Sequence, residues 1–310
     1  MRTATTLTAL ALLVAPRLGA QTTSAEHIAL GDSARAALHA EESLRHYQAA
    51  VEELQHTLGR AAQDTTPITP PNPLYCEALW KAAREIAGVR PLDPLYCEAL
   101  WKAAREIADV AKQLLGDSLK QRRDSLYSLG RTWAEAAIQA DSSVANAHFS
   151  LALVLGRLSR TRGGKERVRF ARVIYDETVR TIEMDPRHDG AYHILGMWNA
   201  EVKRLSGFTR FAAKTFLGAG FMSRANWDSA VANMEHAVQL NPQHVYHRLE
   251  LASVYLDVDQ PAKAKEQLQA IATLPDGDPM DPYYKRLAVA ALADIDRGKA
   301  DDADELLRKG

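Results

Sequence analysis

The feature that most restricts this chain is a stop-and-restart signal that recurs between amphipathic segments. AIQADSSVANAH (137–148), TIEMDPRHDGAYH (181–193) and AVQLNPQHVYHRL (237–249) share one plan. A small or apolar helix end is followed by Asp or Asn, then Ser or Pro, then a new helical pattern. Proline cannot continue a helix, so the chain must stop and turn at these points. Strand signals are nearly absent, with no Asn-Gly hairpin and no alternating β-branched run. The expected fold class is all-α.

The markers Asp141, Asp185 and Asn241 lie 44 and 56 residues apart. Subtracting one insertion from each gap leaves a unit near 34 residues, the length of a tetratricopeptide helix–turn–helix pair. Small residues at fixed spacing fit that unit, because they let two helices approach while large ones fill the gaps. They are Leu30, Gly31, Ser43, Tyr47 and Ala50, then Gly130, Ala134 and Ala137, then Leu151, Ala152, Leu155, Ile174, Thr178 and Thr181. The pattern continues with Tyr192, Leu195, Gly196, Trp227, Ala230, Met234 and Ala237, then Leu251, Ala252, Tyr255, Ala264, Leu268 and Ile271. The expectation is a right-handed solenoid of about five helix pairs. It ends on a capping helix over 281–297 with Leu287, Ala290 and Leu292 inward.

The domain plan follows. Residues 1–20 read as a signal peptide: Arg2, an apolar stretch from Leu7 to Ala15, and small residues before Gln21. The competing reading is a mitochondrial presequence, since Arg2 and Arg17 sit among threonines with no acid before Glu26. The continuous Leu/Ala core favours export, to the periplasm or an equivalent compartment. Residues 21–64 form a first repeat, 65–93 a Pro-rich linker plus a duplicated helix, and 94–310 the main repeat domain. The duplication is literal, because 73–87 and 94–108 both read PLYCEALWKAAREIA. The cysteines Cys76 and Cys97 are two copies of one position, ~31 Å apart in a continuous helix and far beyond disulfide reach. Free thiols are expected, with an intermolecular bridge as the alternative, and the second copy, which runs on without Pro or Gly, is expected to pack in the repeat.

Composition excludes several classes. With 46% apolar and 25% charged residues the chain is not a disordered tail. No apolar run reaches the ~20 residues of a membrane span. A net charge of −1, or −3 without the first 20 residues, argues against a general nucleic-acid binder.

Two insertions concentrate the positive charge. Residues 157–172 carry seven cations against Glu166, and 203–224 carry five with no acid and four of the six phenylalanines. A basic rim is expected from Arg162, Lys165, Arg167, Lys203, Arg204, Phe208, Arg210, Phe211, Lys214 and Phe216. Such a rim suits an anionic surface, either lipid head groups or an acidic protein. The plainer alternative is that the phenylalanines pack on the solenoid beneath the stems of Arg and Lys. The concave face is the second candidate, lined by Asn146, Phe149 and Leu153, by His193, Met197 and Glu201, and by Tyr246, Leu249 and Ser253. Its scarcity of Lys argues against gripping a peptide carboxylate, and its apolar character suits a hydrophobic peptide or an acyl chain.

Residues 94–297, about two-thirds of the chain, resemble the regulator of microtubule dynamics family. The resemblance is carried by ALWKAARE (99–106), AHFSLALVLGRLS (147–159) with its GGK turn, and AYHILGMWNAEV (191–202). The Phe-rich insertion with AAK (212–214) and WDSAVANMEHAVQLNP (227–242) complete it. It implies a non-enzymatic helical repeat protein. Eukaryotic members associate with microtubules or mitochondria, and the repeat domain of one binds phospholipid at membrane contacts. The chain departs from the family at Trp198-Asn199, at the export signal and at the duplicated helix, so microtubule binding does not carry over to an exported protein.

Chemistry finds little support. His244 and His247 are three apart, but no second pair with a carboxylate completes a metal site. Asp189 in Arg187-His188-Asp189-Gly190 reads as a helix cap. No phosphate loop, Ser elbow or reactive-Cys context appears. No catalytic residue, metal or cofactor is expected. The sequence ranks a protein-binding scaffold first, an anionic phospholipid module second and a metal-dependent enzyme far behind. Export predicts a mature protein that begins at Gln21 by intact-mass spectrometry, whereas a product starting at Met1 would contradict it.

Overall fold

The stop-and-restart residues end helices as their chemistry requires. In a computed structural model that describes residues 22–62 and 94–309, the Asp141, Asp185 and Asn241 amides donate to the carbonyls of Ala137, Thr181 and Ala237 at 2.8–3.0 Å. Each closes the last turn of its helix. Asp141 and Asp185 then accept from the amides of Ser143 and Arg187, making the tight Asx turn into the next helix. The expected leader 1–20, the linker and first duplicated copy at 65–93, and Cys76 lie outside the described residues.

Among the described residues the chain is helical and without strands. The helices are α1 (Ser24–Ala36), α2 (Ala40–Ala62), α3 (Pro94–Lys112), α4 (Lys120–Ala140), α5 (Ala145–Ser159), α6 (Gly164–Met184), α7 (Asp189–Arg204), α8 (Gly207–Phe216), α9 (Trp227–Leu240), α10 (Val245–Asp257), α11 (Pro261–Ile271), α12 (Asp281–Asp296) and α13 (Ala300–Lys309). Short 3₁₀ turns cover Asp117–Leu119 and Ala219–Arg224. The pairs α1/α2, α3/α4, α5/α6, α7/α9, α10/α11 and α12/α13 stack in order as a solenoid, with α8 inserted inside the fourth.

Small residues set the spacing. A Cβ on Gly130 would lie 2.6 Å from Ile107 Cγ2, and one on Gly196 would lie 2.6 Å from Met234 Cγ and 3.1 Å from the Ala230 carbonyl. Gly31 faces the Tyr47 ring in the same way. Ala134, Ala137, Ala152, Ala200, Ala230, Ala237, Ala252 and Ala264 are all buried. The second copy of the duplication is α3, and its buried Cys97 is a free thiol that donates to the Ala137 carbonyl at 3.4 Å. Burial pushes its pKa up to about 11. Charged contacts tie both neighbouring and distant repeats together. Lys112 at the end of α3 bonds Asp278 before α12 at 2.7 Å, and Arg35 of α1 pairs with Glu106 and Asp109 of α3.

Four expectations are corrected. Leu30 is 45% exposed, because Ile28, Gly31 and Ala34 form the buried stripe of α1. Residues 157–172 are not a loop: α5 and α6 simply run on and meet at a short turn, since Phe170 and Ile174 keep the helical period. The expected cap at 281–297 is the first helix of another pair, closed by α13. Within it Tyr284, Ala288 and Ala291 point inward and Ala290 is exposed, while Leu287 and Leu292 are half-buried.

The close approach at Gly196 predicts that Gly196→Val overpacks the α7/α9 contact and costs about 1–3 kcal/mol in urea unfolding. Gly156→Ala, where nothing lies within 4 Å of the new carbon, should gain up to about 1 kcal/mol from helix propensity. Equal effects at both positions would contradict the packing described.

Candidate functional site

A cavity of ≈ 520 Å³ lies between α5, α6, α7 and the inserted α8, with Tyr246 and Glu250 of α10 at its edge. That volume falls within the ~300–1,000 Å³ typical of ligand sites. Its walls are apolar: Leu153 from α5, Val168, Ala171 and Ile174 from α6, Ile194, Met197, Trp198 and Val202 from α7, and Ala212 and Ala213 from α8. The Trp198 indole N–H donates to the Ala171 carbonyl at 2.8 Å, which fixes α7 against α6. Asn199 accepts from the Asn226 amide at 3.2 Å, which holds the start of α9. The dipeptide that departs from the family pattern is thus structural on both counts and also shapes one wall.

One end of the cavity is cationic. Arg157, Arg160 and Arg167 line it where α5 turns into α6, and none of the three forms an ion pair among the described residues. Arg157 sits over the Tyr246 ring, 5.1 Å from its centroid, and donates to the phenol oxygen at 3.3 Å. A guanidinium has five N–H donors, and the bond to Tyr246 uses one of them. Arg204 and Arg308 also line the space but are paired, Arg204 with Asp257 and Glu201 and Arg308 with Asp257 and Asp304. Glu201 and Glu250 are the lining acids, and Glu201 is paired with Arg204 at 2.7 Å.

The expected groove residues divide. Leu153, His193, Met197, Glu201 and Tyr246 line the cavity. Asn146, Phe149 and Leu249 do not: Asn146 accepts from His188 at 3.3 Å, Phe149 packs on the His188 ring at 4.3 Å, and Leu249 is 2% exposed in the core. Ser253 is buried and bonded to Asp304. The expected rim divides too. Arg167, Arg204 and Phe216 line the cavity, while Lys165, Lys203 and Lys214 are not part of its lining and form no ion pair among the described residues. Arg162 is held by Asp124 and Ser128, and Arg204 is spent on Asp257 and Glu201. Arg210 folds back to cap the end of α7, donating to the carbonyls of Lys203 at 2.7 Å and of Leu205. These three cations serve the fold. Phe208, Phe211 and Phe216 do the opposite of packing on the solenoid: they are 81%, 64% and 78% exposed, and only Phe221 turns inward, toward Trp198 and Arg172.

Sequence reasoning missed Arg157 and Arg160 as site residues. The signal was present, because the groove stripe Asn146, Phe149, Leu153 continues one helical turn further to Gly156, Arg157 and Arg160.

Next to the cavity lies a histidine cluster. The N-caps of α7 and α10 are His188 and His244, whose Nδ1 atoms accept from the amides of Ala191 and His247 at 3.1 and 3.4 Å. Asp189, expected as the cap, is the first helical residue instead. It accepts from Asn241 at 2.7 Å and from His247 Nε2 at 3.2 Å, and His247 Nδ1 lies 3.1 Å from His193 Nδ1. Burial would raise the Asp189 pKa, but the bonds from His247 and Asn241 outweigh it and hold the carboxyl well below the usual range. Burial lowers His188, takes His193 well below its ordinary value and brings His244 to about 3. No group of three or more His, Cys, Asp or Glu able to hold a metal occurs among the described residues.

The three lowered histidines bind protons in the unfolded chain before they do in the folded one, so their contribution is present above about pH 6.5 and lost as pH falls. His148 acts in the opposite sense: its bond to Glu177 raises its pKa, and its contribution fades as pH rises. Asn keeps a cap acceptor without titrating. The double variant His188→Asn, His244→Asn should therefore flatten the loss of stability between about pH 7 and pH 5, measured by urea midpoints. An unchanged slope would show that these caps do not set the pH dependence.

A family model described as regulator of microtubule dynamics protein 1-3 matches residues 76–296. Regulator of microtubule dynamics protein 3 of Xenopus laevis is 28% identical over 156 residues, which are 50% of this chain and 33% of that protein. Regulator of microtubule dynamics protein 1 of Bos taurus is 25% identical over 149 residues, 48% of this chain and 46% of that protein. The match thus spans less than half the length of either relative. Among solved structures, a thermophilic TPR (tetratricopeptide) protein of Thermus thermophilus aligns with a TM-score of 0.53 at 14% identity, over 87% of this chain and 100% of that one. That likeness concerns the fold.

Proposed function

The chain belongs to the regulator of microtubule dynamics protein 1–3 family, and from that premise we propose that its helical-repeat scaffold is a non-catalytic binding module for an anionic amphiphile. The acyl chain would lie along Leu153, Val168, Ile194, Met197 and Trp198, and the head group would meet Arg157, Arg160 and Arg167. One observation carries the reading: an apolar cavity that ends on three arginines with no carboxylate partner among the described residues. Apolar walls favour the chain by burial, and charge-assisted bonds to a guanidinium favour a phosphate or carboxylate.

A protein partner, first on sequence alone, moves to second place. Asn146, which could clamp a peptide backbone, is engaged by His188. A helical-repeat scaffold still supports protein binding as the second reading. Export remains part of the proposal and rests on residues 1–20 alone, with a mitochondrial destination as its alternative. No described helix is long and apolar enough to cross a membrane.

The test is native mass spectrometry of protein purified from its own cells. The proposal expects an anionic phospholipid adduct on the wild type. It expects none on Gly156→Leu, because that side chain enters open space in the cavity. Arg157→Met should weaken retention of the anionic lipid about tenfold or more. Lipid-free wild-type protein would overturn the proposal, and a peptide adduct would install the second reading.

A further inference from the structure

We infer that α8 is a membrane-docking helix: Phe208, Phe211 and Phe216 enter the interface of an anionic phospholipid bilayer, and the cavity mouth beneath α8 then opens onto the lipid. The inference rests on the cavity reading above and adds the surface through which the ligand arrives.

The helix is apolar on two sides. Thr209, Ala212 and Ala213 line the cavity, while Phe208 and Phe211 do not touch it and stand 81% and 64% exposed. Phe216 belongs to both surfaces, lining the mouth while 78% exposed, and Leu217 beside it is 38% exposed. Three aromatic rings held in water on one short helix mark a contact surface rather than a folding device. The charge around them selects the partner. From Val202 to Trp227 there is no acidic residue, and exposed Lys214 and Arg224 accompany the phenylalanines. Arg172 of α6 stands against the same insertion, stacked on Phe221 at 4.4 Å and donating to the Gly218 carbonyl at 3.5 Å. Exposed Lys165 and Arg167 extend the basic border along α6, where Arg169 is paired with Glu166 at 3.6 Å. Phenylalanines bordered by Lys and Arg are the composition of a helix that lies in an anionic lipid interface. Glycines bound α8 on both sides, and Gly218 takes a left-handed φ of +66° that other residues adopt at a cost. The helix is therefore a discrete element between two turns, placed over an apolar cavity.

The experiment is co-sedimentation of the full chain with vesicles of phosphatidylcholine alone and of phosphatidylcholine with phosphatidylglycerol. Wild-type protein should bind the anionic vesicles and not the neutral ones. The double variant Phe208→Ser, Phe211→Ser should lose about tenfold in partitioning per phenylalanine while keeping its unfolding temperature. Lys214→Glu should weaken binding to the anionic vesicles. Wild-type protein that binds neither vesicle, or a double variant that binds as well as wild type, would overturn the docking role even if the cavity holds lipid. Lipid-free protein that still docks through its phenylalanines would remove the cavity reading and leave the docking role standing.

Discussion

The structure depends on how closely helices can approach. Gly130 against Ile107 and Gly196 against Met234 leave no room for a Cβ, and a ladder of buried alanines repeats the arrangement from α4 to α11. Because each pair buries its apolar face only on its neighbours, this spacing is inherited along the array. It also decides where the array can open. Between α7 and α9 the chain leaves the repeat to form α8, while Gly196, Ala200, Ala230 and Met234 keep α7 and α9 in contact. The inserted helix is therefore added over the inner face without breaking the stack, and the space beneath it becomes the cavity.

Charge is sorted by the same geometry. Arg162, Arg204 and Arg210 sit where a carboxylate or a helix end can use them, and they are used. Arg157 sits among tyrosines, with aromatic faces and a phenol oxygen but no carboxylate. A guanidinium remains charged in such a place, so the apolar cavity acquires a fixed positive end. The histidine caps add a second constraint, since they serve as acceptors only while neutral.

Much of the fold was legible in the sequence because its signals are local. Asp141, Asp185 and Asn241 mark helix ends through their own backbone and side-chain bonds, and Gly196 and Ala230 mark helix contacts by size. The site was less legible because it depends on what faces what. Periodicity placed Phe208, Phe211 and Phe216 near one face of a helix, but it does not say whether anything packs on that face, and nothing among the described residues covers them. The run of cations in 157–172 reads as an insertion, whereas Phe170 and Ile174 continue the helix through it. Ala290 and Leu30 failed for a related reason: at the ends of an array a helix has fewer neighbours, so an apolar residue can face water. The final pair went unread because α13 is short and rich in Asp.

The central claim is that the space between α5, α6, α7 and α8 is a ligand site with a positive end. A crystal structure of protein purified from its own cells, without added lipid, tests it most directly. The expected result is elongated density along Met197 and Trp198 whose head lies within hydrogen-bond distance of Arg157. A cavity holding only ordered water, with Arg157 turned onto a carboxylate, would contradict it.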